Sequence, residues 1–353
     1  MTDYLDSYKG KRVLVTGGAG AIGSNLCKAL ADLGAELVII LDNLEASYKW
    51  NIPSHPAVLF VNGDVTDETS LKRVFNESPT HIYHLAAFFA NQNSVDYPER
   101  DLHVNGLGTL KLLEYASIAS VERFVYASSG CSIYGSEAPL PLREEYVSTH
   151  LTSPYQITKM LGELYCNFFS HHHGMKVAIT RFFNSYGPGE VPGQYRNVIP
   201  NFVYWAMKGH PLPITGTGEE TRDFTYVGDL VDGLLRAGYY EEAIGEAVNL
   251  ASEREISIGH LAEVINASVG NQAGIRYAPR RRWDTKSRLL ASVDKARKLI
   301  GYQPRTSFED GIESTIQWFR ENREDIDRDA SFLPGTSSAV RGQVTATREE
   351  SPS

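Results

Sequence analysis

Five short apolar runs, Val13–Thr16, Leu37–Leu41, Val58–Val61, His81–Leu85 and Phe124–Ala127, set the frame for the first part of the chain. Each is rich in Val, Ile, Leu and aromatic residues and lacks the apolar–polar alternation of a sheet with one wet face. Segments with helical spacing lie between them, at Ile22–Leu33, Ser70–Phe75 and Val104–Ala119. Strand, helix, strand in repetition predicts an α/β fold: a doubly wound parallel sheet covered on both faces. Lys176–Arg181 and Ala247–Leu250 read as two further strands.

The first of these strands runs into three glycines at G-x-x-G-x-x-G spacing, in Thr16-Gly17-Gly18-Ala19-Gly20-Ala21-Ile22-Gly23. Glycine permits the tight turn, lets backbone approach a pyrophosphate and allows close helix–strand packing. The helix that follows presents free N–H groups and the positive end of its dipole to phosphates. The second strand ends in Asp42-Asn43, 19 residues beyond Gly23. An acid there accepts hydrogen bonds from both ribose hydroxyls of adenosine and repels a 2′-phosphate, which favours NAD over NADP. Asp64, in Gly63-Asp64-Val65 after the third strand, is placed to meet the adenine amino group. The sheet is thus expected to be of the Rossmann type.

From about Asn184 the texture changes. Gly187-Pro188-Gly189, Pro192-Gly193 and Pro211-Leu212-Pro213 punctuate loops around a helix at Asn201–Lys208. The expected organisation is a dinucleotide-binding domain over 10–183, with returns near 223–250, and a smaller interleaved C-terminal lobe over 184–325 for substrate. Residues 333–353 are rich in Ser, Thr, Gly, Arg and Glu and are expected to be disordered.

Composition narrows the partners. A net charge of −9 argues against nucleic acid or an anionic membrane. Cys27, Cys131 and Cys166 are too few and too scattered for a disulfide framework or a zinc site, so a reducing cytoplasm fits best. The N-terminal stretch carries charges where a signal peptide needs an apolar core. The run His171-His172-His173 reads as the cationic end of a helix, and no metal is expected.

Ser153-Pro154-Tyr155-Gln156-Ile157-Thr158-Lys159 has the marks of a helix start: Ser153 as N-cap, Pro154 at the first position and Gln156 completing a capping box. Tyr155 and Lys159, four apart, then share a face. Oxidising an alcohol needs a base for the hydroxyl proton. A phenol of pKa about 10 becomes one when a lysine ammonium and a positive nicotinamide stabilise its anion.

Taken together these motifs resemble the extended short-chain dehydrogenase/reductase family, in particular its nucleotide-sugar epimerases and dehydratases. The resemblance spans about 10–325 and also includes His84-Leu85-Ala86-Ala87, Asn105, Ala127-Ser128-Ser129, Tyr134-Gly135, Arg181-Phe182-Phe183-Asn184 and Thr221-Arg222-Asp223-Phe224. It implies that Tyr155 is the base and that Lys159 tunes it and binds the nicotinamide ribose. A Ser or Thr after the fifth strand would bond the reacting hydroxyl. Counting from the strand selects Ser129, with Ser128 as the fallback; counting back from Tyr134-Gly135 selects Gly130, as if the loop were one residue longer than usual. The strand-based register is preferred, because a strand fixes position better than a loop. The cofactor residues implied are Gly17, Gly20, Ala21, Ile22, Gly23, Asp42, Asn43, Asp64, Val65, Leu85, Ala86, Ala87, Asn105, Tyr155, Lys159 and Phe182.

Such enzymes begin by oxidising the sugar at C4 and part afterwards. Dehydratases of this kind carry an Asp-Glu pair just after the catalytic Ser/Thr, and decarboxylases a nearby Glu; here stand Gly130-Cys131-Ser132. Without a carboxylate the expected reaction is 4-epimerisation, in which a 4-keto intermediate turns over and takes hydride back on its other face. Cys131 as an acid/base keeps 3,5-epimerisation or dehydration as alternatives, alongside decarboxylation and a non-catalytic NAD sensor. A nucleotide-diphosphate sugar would be met by Ser129, Asn184, Asn197, Arg222 and, from Arg280-Arg281-Arg282-Trp283-Asp284, Arg282. Relatives pair through helices matching about Val104–Ala119 and Pro154–Ser170, which implies a homodimer.

Overall fold

The computed structural model describes residues 4–279 and 286–330. The expected tail at 333–353 and the arginine cluster at 280–284 lie outside the described residues. Seven strands, β1 (Arg12–Thr16), β2 (Leu37–Asp42), β3 (Val58–Asn62), β4 (His81–His84), β5 (Arg123–Ser129), β6 (Val177–Phe182) and β7 (Ala247–Leu250), form one parallel sheet. Their spatial order is β7-β6-β5-β4-β1-β2-β3. The order reverses between β1 and β4, and ligands of such sheets bind outside the carboxyl ends at that reversal.

Burial on both faces explains the uninterrupted apolar runs. Val13 and Val15 enter one core with Leu26 and Leu30 of helix α1 (Ala21–Asp32) and with Leu230 and Leu234 of a helix at Val227–Tyr239. Leu14, between them in sequence, points to the opposite core, with Leu71 and Leu112. Successive strand residues therefore serve opposite faces while every one is buried. A third core gathers Tyr186, Phe202, Trp205, Leu261, Ile312 and Phe319, all from the second half of the chain.

Two expected elements differ in detail. The segment expected as a uniform helix over Val104–Ala119 opens with wide π-type turns at Leu102–Gly108 before regular helix at Thr109–Ile118. The wide turns accompany buried bonds from Asn105 to Asp101 and Thr158. The helix expected at Asn201–Lys208 begins earlier, at Val198, with Asn197 as its N-cap. No helix among the described residues is long and apolar enough to cross a membrane.

Candidate active site

The glycine turn is built by exclusion. Gly17 adopts φ +71°, and a Cβ there would lie 2.7 Å from the Ala86 nitrogen. A Cβ on Gly23 would lie 2.2 Å from the Gly17 carbonyl oxygen. Side chains at either position would push the loop off the sheet. Gly20 caps α1, so the free N–H groups around Ala21, Ile22 and Gly23 face the crevice where the strand order reverses. The Pro188 carbonyl accepts from Asn25 Nδ2 at 2.8 Å, and the Gly189 carbonyl from Asn51 Nδ2 at 3.0 Å, which closes the loop after β6 over this turn.

Asp42 ends β2 with its carboxylate buried. One oxygen accepts from the Ala19 N–H at 3.0 Å; the other accepts from Leu44 N–H at 2.9 Å and Ser47 Oγ at 2.7 Å. The residue thus shapes its own loop and holds the glycine turn, and of about four lone-pair sites one remains for a ribose hydroxyl. Asn43 donates to Asp64 at 2.8 Å, setting the two side by side past β2 and β3. Burial alone would raise the Asp64 carboxyl, but bonds from Thr66 and Asn43 hold it below the ordinary value. Val65 is buried, and Leu85, Ala86 and Ala87 carry the backbone over Gly17. Asn105 bonds the Phe88 N–H at 2.8 Å and so ties down the loop after β4.

The helix α2 (Pro154–His173), which carries Tyr155 and Lys159, starts as its sequence dictates: Ser153 Oγ accepts from Gln156 N–H and the Gln156 side chain returns the bond, a complete capping box. Its C-terminal end carries His171 to His173, and Gly174 closes it at φ +66°. Tyr155, Lys159 and Glu163 form one stripe of this helix, all buried. The Lys159 ammonium donates to the Ala127 carbonyl at 2.9 Å and lies 5.7 Å from the centre of the Tyr155 ring. Burial lowers its pKa to about 8, so it remains a cation at neutral pH. Burial raises the Tyr155 phenol, with the nearby Cys131 and Asp101 acting in the same sense and the hydrogen-bonded Ser129 opposing.

The structure separates the two candidate serines. Ser129 faces Tyr155 and shares a 2.9 Å hydrogen bond with Ser132. Ser128, one residue earlier, points to the other side and donates to Glu163 at 2.5 Å. Glu163 in turn pairs with Arg181 at 2.8 Å, both about 5% exposed. Arg181 also donates to Tyr134 Oη and the Glu144 carbonyl, and Tyr134 donates to Asn249. Gly130 has no room for a side chain: a Cβ there would lie 2.1 Å from the Phe183 ring. The chain turns helically at Gly130–Ile133 directly after β5, leaving Cys131 partly exposed.

Phe182 ends β6 in register with Ser129. Asn184 donates to the Asp223 carbonyl at 3.0 Å, and its backbone N–H faces the Cys131 thiol. Arg222 stands on the short strand Thr221–Asp223, where its charge bears on Cys131. Asn197 donates to Glu190 at 2.9 Å. Arg282 lies outside the described residues.

Four polar residues of this region did not emerge from the sequence reading: Asp101, Glu163, Glu190 and Lys286. Asp101, fully buried, accepts from Thr158 and Asn105 behind Lys159. Glu190 is 5% exposed, one of its oxygens has no partner, and burial raises its carboxyl to about 7. The helical spacing that links Tyr155 to Lys159 also reaches Glu163, and Asp101 stands four before Asn105; those were the available signals.

The pattern of the NAD dependent epimerase/dehydratase family matches residues 13–251. A solved structure described as an epimerase from Methanothermobacter thermautotrophicus superposes with a TM-score of 0.92 at 57% identity, covering 94% of this chain and 98% of that one. A putative UDP-glucose 4-epimerase of Methanocaldococcus jannaschii is 34% identical over 88% of this chain and 99% of its own. A UDP-N-acetyl-alpha-D-glucosaminuronate decarboxylase of Bacillus cytotoxicus is 30% identical over 89% of this chain and 99% of its own.

Proposed function

The chain belongs to the NAD-dependent epimerase/dehydratase family and is an NAD-dependent nucleotide-sugar enzyme; from that premise we propose that its reaction is 4-epimerisation of a nucleotide-diphosphate sugar. One observation carries the choice: the position beside Ser129 is a glycine whose side-chain space Phe183 fills, so no carboxylate can stand there. Asp101, whose charge bears on Tyr155, is fully buried, and its two carboxylate oxygens are engaged by Thr158 and Asn105. Elimination of water or of carbon dioxide therefore lacks the carboxylate expected as its proton carrier, whereas 4-epimerisation needs none.

The cradle fits the cofactor. Gly17 and Gly23 leave room only for backbone, α1 offers its N–H groups to a pyrophosphate, and Asp42 retains an acceptor for the ribose. Val65, Leu85 to Ala87, Asn105 and Phe182 would line the rest, and Lys159 would hold the nicotinamide ribose. When bound, NAD takes up the C4 hydride and returns it, and its positive ring lowers the phenol that burial has raised. Tyr155 removes the C4 hydroxyl proton and gives it back; Ser129 holds that oxygen in line. Lys159, charged at neutral pH, stabilises the phenolate. Asn184, Asn197 and Arg222 would position the diphosphate, and the core from Tyr186 to Phe319 would form the substrate lobe.

We also infer a homodimer working in a reducing cytoplasm. Ile157, Leu164 and Phe168 of α2 and Leu102 and Leu107 of the turns packed beside it are all exposed, apolar side chains of the kind that dimer contacts cover. The three cysteines are free thiols.

Incubation with UDP-, GDP-, CDP- and dTDP-sugars tests the reaction. An altered NMR spectrum at unchanged mass is the expected result; loss of water or carbon dioxide overturns it. Cys131 stands partly exposed beside Tyr155, which favours 3,5-epimerisation as the second reading. Unchanged 4-epimerase turnover in Cys131→Ser, with no deuterium entering C3 or C5, removes it.

A further inference from the structure

Lys286 is a cation that the reaction described above leaves unused. It sits partly buried against the loop after β5 and donates to the Cys131 carbonyl at 3.1 Å. Four other partly or fully buried cations have acidic partners: Arg181 has Glu163, Arg236 has Asp232, Lys208 has Asp327 and Lys295 has Glu246; Lys159, which the reaction uses, donates to a carbonyl as Lys286 does. Among the described residues no carboxylate pairs with Lys286. The charged groups that bear on it are the Cys131 thiol and Arg222, a second cation, and burial holds its pKa below that of an ordinary lysine. Withdrawing an ammonium from water without a counter-charge is costly. Such a group persists where an anion arrives with the ligand.

Its position indicates which anion. Cys131 stands two residues past Ser129; its charge bears on Tyr155, and those of Lys286 and Arg222 bear on it. Lys286 therefore meets the short turn that carries Ser129, the residue assigned to the C4 hydroxyl. Hydroxyls and an acetamido group cannot neutralise it. A carboxylate on C5, the carbon next to C4, can. Resting on the 4-epimerase reading, we propose that Lys286 is the counter-ion of a sugar carboxylate, and that the substrate is a nucleotide-diphosphate uronic acid.

UDP-glucuronate and UDP-glucose differ only at C6 and share everything else, so their comparison isolates this contact. The wild-type chain is expected to favour UDP-glucuronate in kcat/KM by about 30-fold or more, the range of a desolvated charge pair. Lys286→Met abolishes that preference while changing kcat/KM for UDP-glucose and the Kd of UDP by less than about threefold. Lys286→Arg, which keeps the charge, restores part of it. Equal losses on both sugars, or weakened UDP binding, would assign the cation to the diphosphate and overturn the proposal. A wild-type chain indifferent to the carboxylate would do the same. Calorimetric Kd values for the two sugars separate this result from failure of the epimerase reading: a binding preference removed by Lys286→Met upholds the carboxylate site even if neither sugar is epimerised.

Discussion

The loops after β1 and β5 leave neighbouring regions of one parallel sheet, yet they are made in opposite ways. The first, Gly17 to Gly23, is held by contacts with the strands beside it: Ile40 beneath Gly18 and the Ala86 backbone against Gly17. Its backbone can be satisfied only by glycine, and α1 follows at once. The second, Gly130 to Ile133, is held by residues gathered from far along the chain. Tyr155, Phe183, Asn184, Arg222 and Lys286 all face it. One loop answers a local steric demand; the other is an assembly point. On the proposed reading, the first kind holds the cofactor and the second sets the reaction and the sugar.

The stripe of Tyr155, Lys159 and Glu163 on α2 tests the assembly side most strongly. Tyr155→Phe removes the proton acceptor and should lower kcat by about 10²- to 10⁴-fold with UDP binding unchanged. Steady-state turnover and calorimetry measure the two. A mutant with near wild-type kcat would move the base elsewhere.

Breaking the buried pair behind the stripe should cost almost as much in a different currency. Glu163→Gln leaves Arg181 uncompensated and should destabilise the fold by about 3–5 kcal/mol, read from urea unfolding. Because Glu163 lies one turn beyond Lys159 on the same stripe, kcat should fall at temperatures where the variant is still folded. Intact stability would mean that the pair is incidental.

Glu190 offers a test through pH. Burial raises its carboxyl from 4.5 to about 7, so the folded chain keeps a proton that the unfolded chain has released between those values. Stability from this group is full below about pH 4.5 and is lost as pH rises through about 7, by about 3 kcal/mol at most. Thermal melts of Glu190→Gln should therefore fall less between pH 5 and pH 8 than those of the wild type. Parallel curves would show that Glu190 is charged throughout.

The two adjacent serines give the smallest and most local contrast. Ser129→Ala should reduce kcat about tenfold to hundredfold with little change in stability. Ser128→Ala should do the reverse, costing about 1–3 kcal/mol through its lost bond to Glu163 while leaving kcat near wild type. Exchange of these outcomes would restore the fallback register.

Much of the fold was legible in advance because it depends on short-range physics. All seven sheet strands coincide, within two residues at either end, with apolar runs whose burial on both faces removes any polar alternation. The start of α2 follows from its cap and its proline, and the glycine turn from backbone that tolerates no Cβ. These demands are written into local patterns (an apolar run, a cap, glycines at fixed spacing), so the sequence by itself determined them, even where Ile40 and Ala86 close on the glycine turn from across the sheet. Tertiary structure decided what depends on direction and distance across the chain. Pleating sends Ser128 to Glu163 and Ser129 to Tyr155, where counting along the sequence prefers Ser129 but leaves Ser128 and Gly130 as competing registers. Asp101 and Glu163 became parts of the site only when α2 packed against β5 and the turns at Leu102–Gly108. Lys286 met Cys131 across 155 positions of chain. Its sequence neighbourhood carries no trace of that contact, because a long-range pairing is set by how the elements pack and not by the residues beside it.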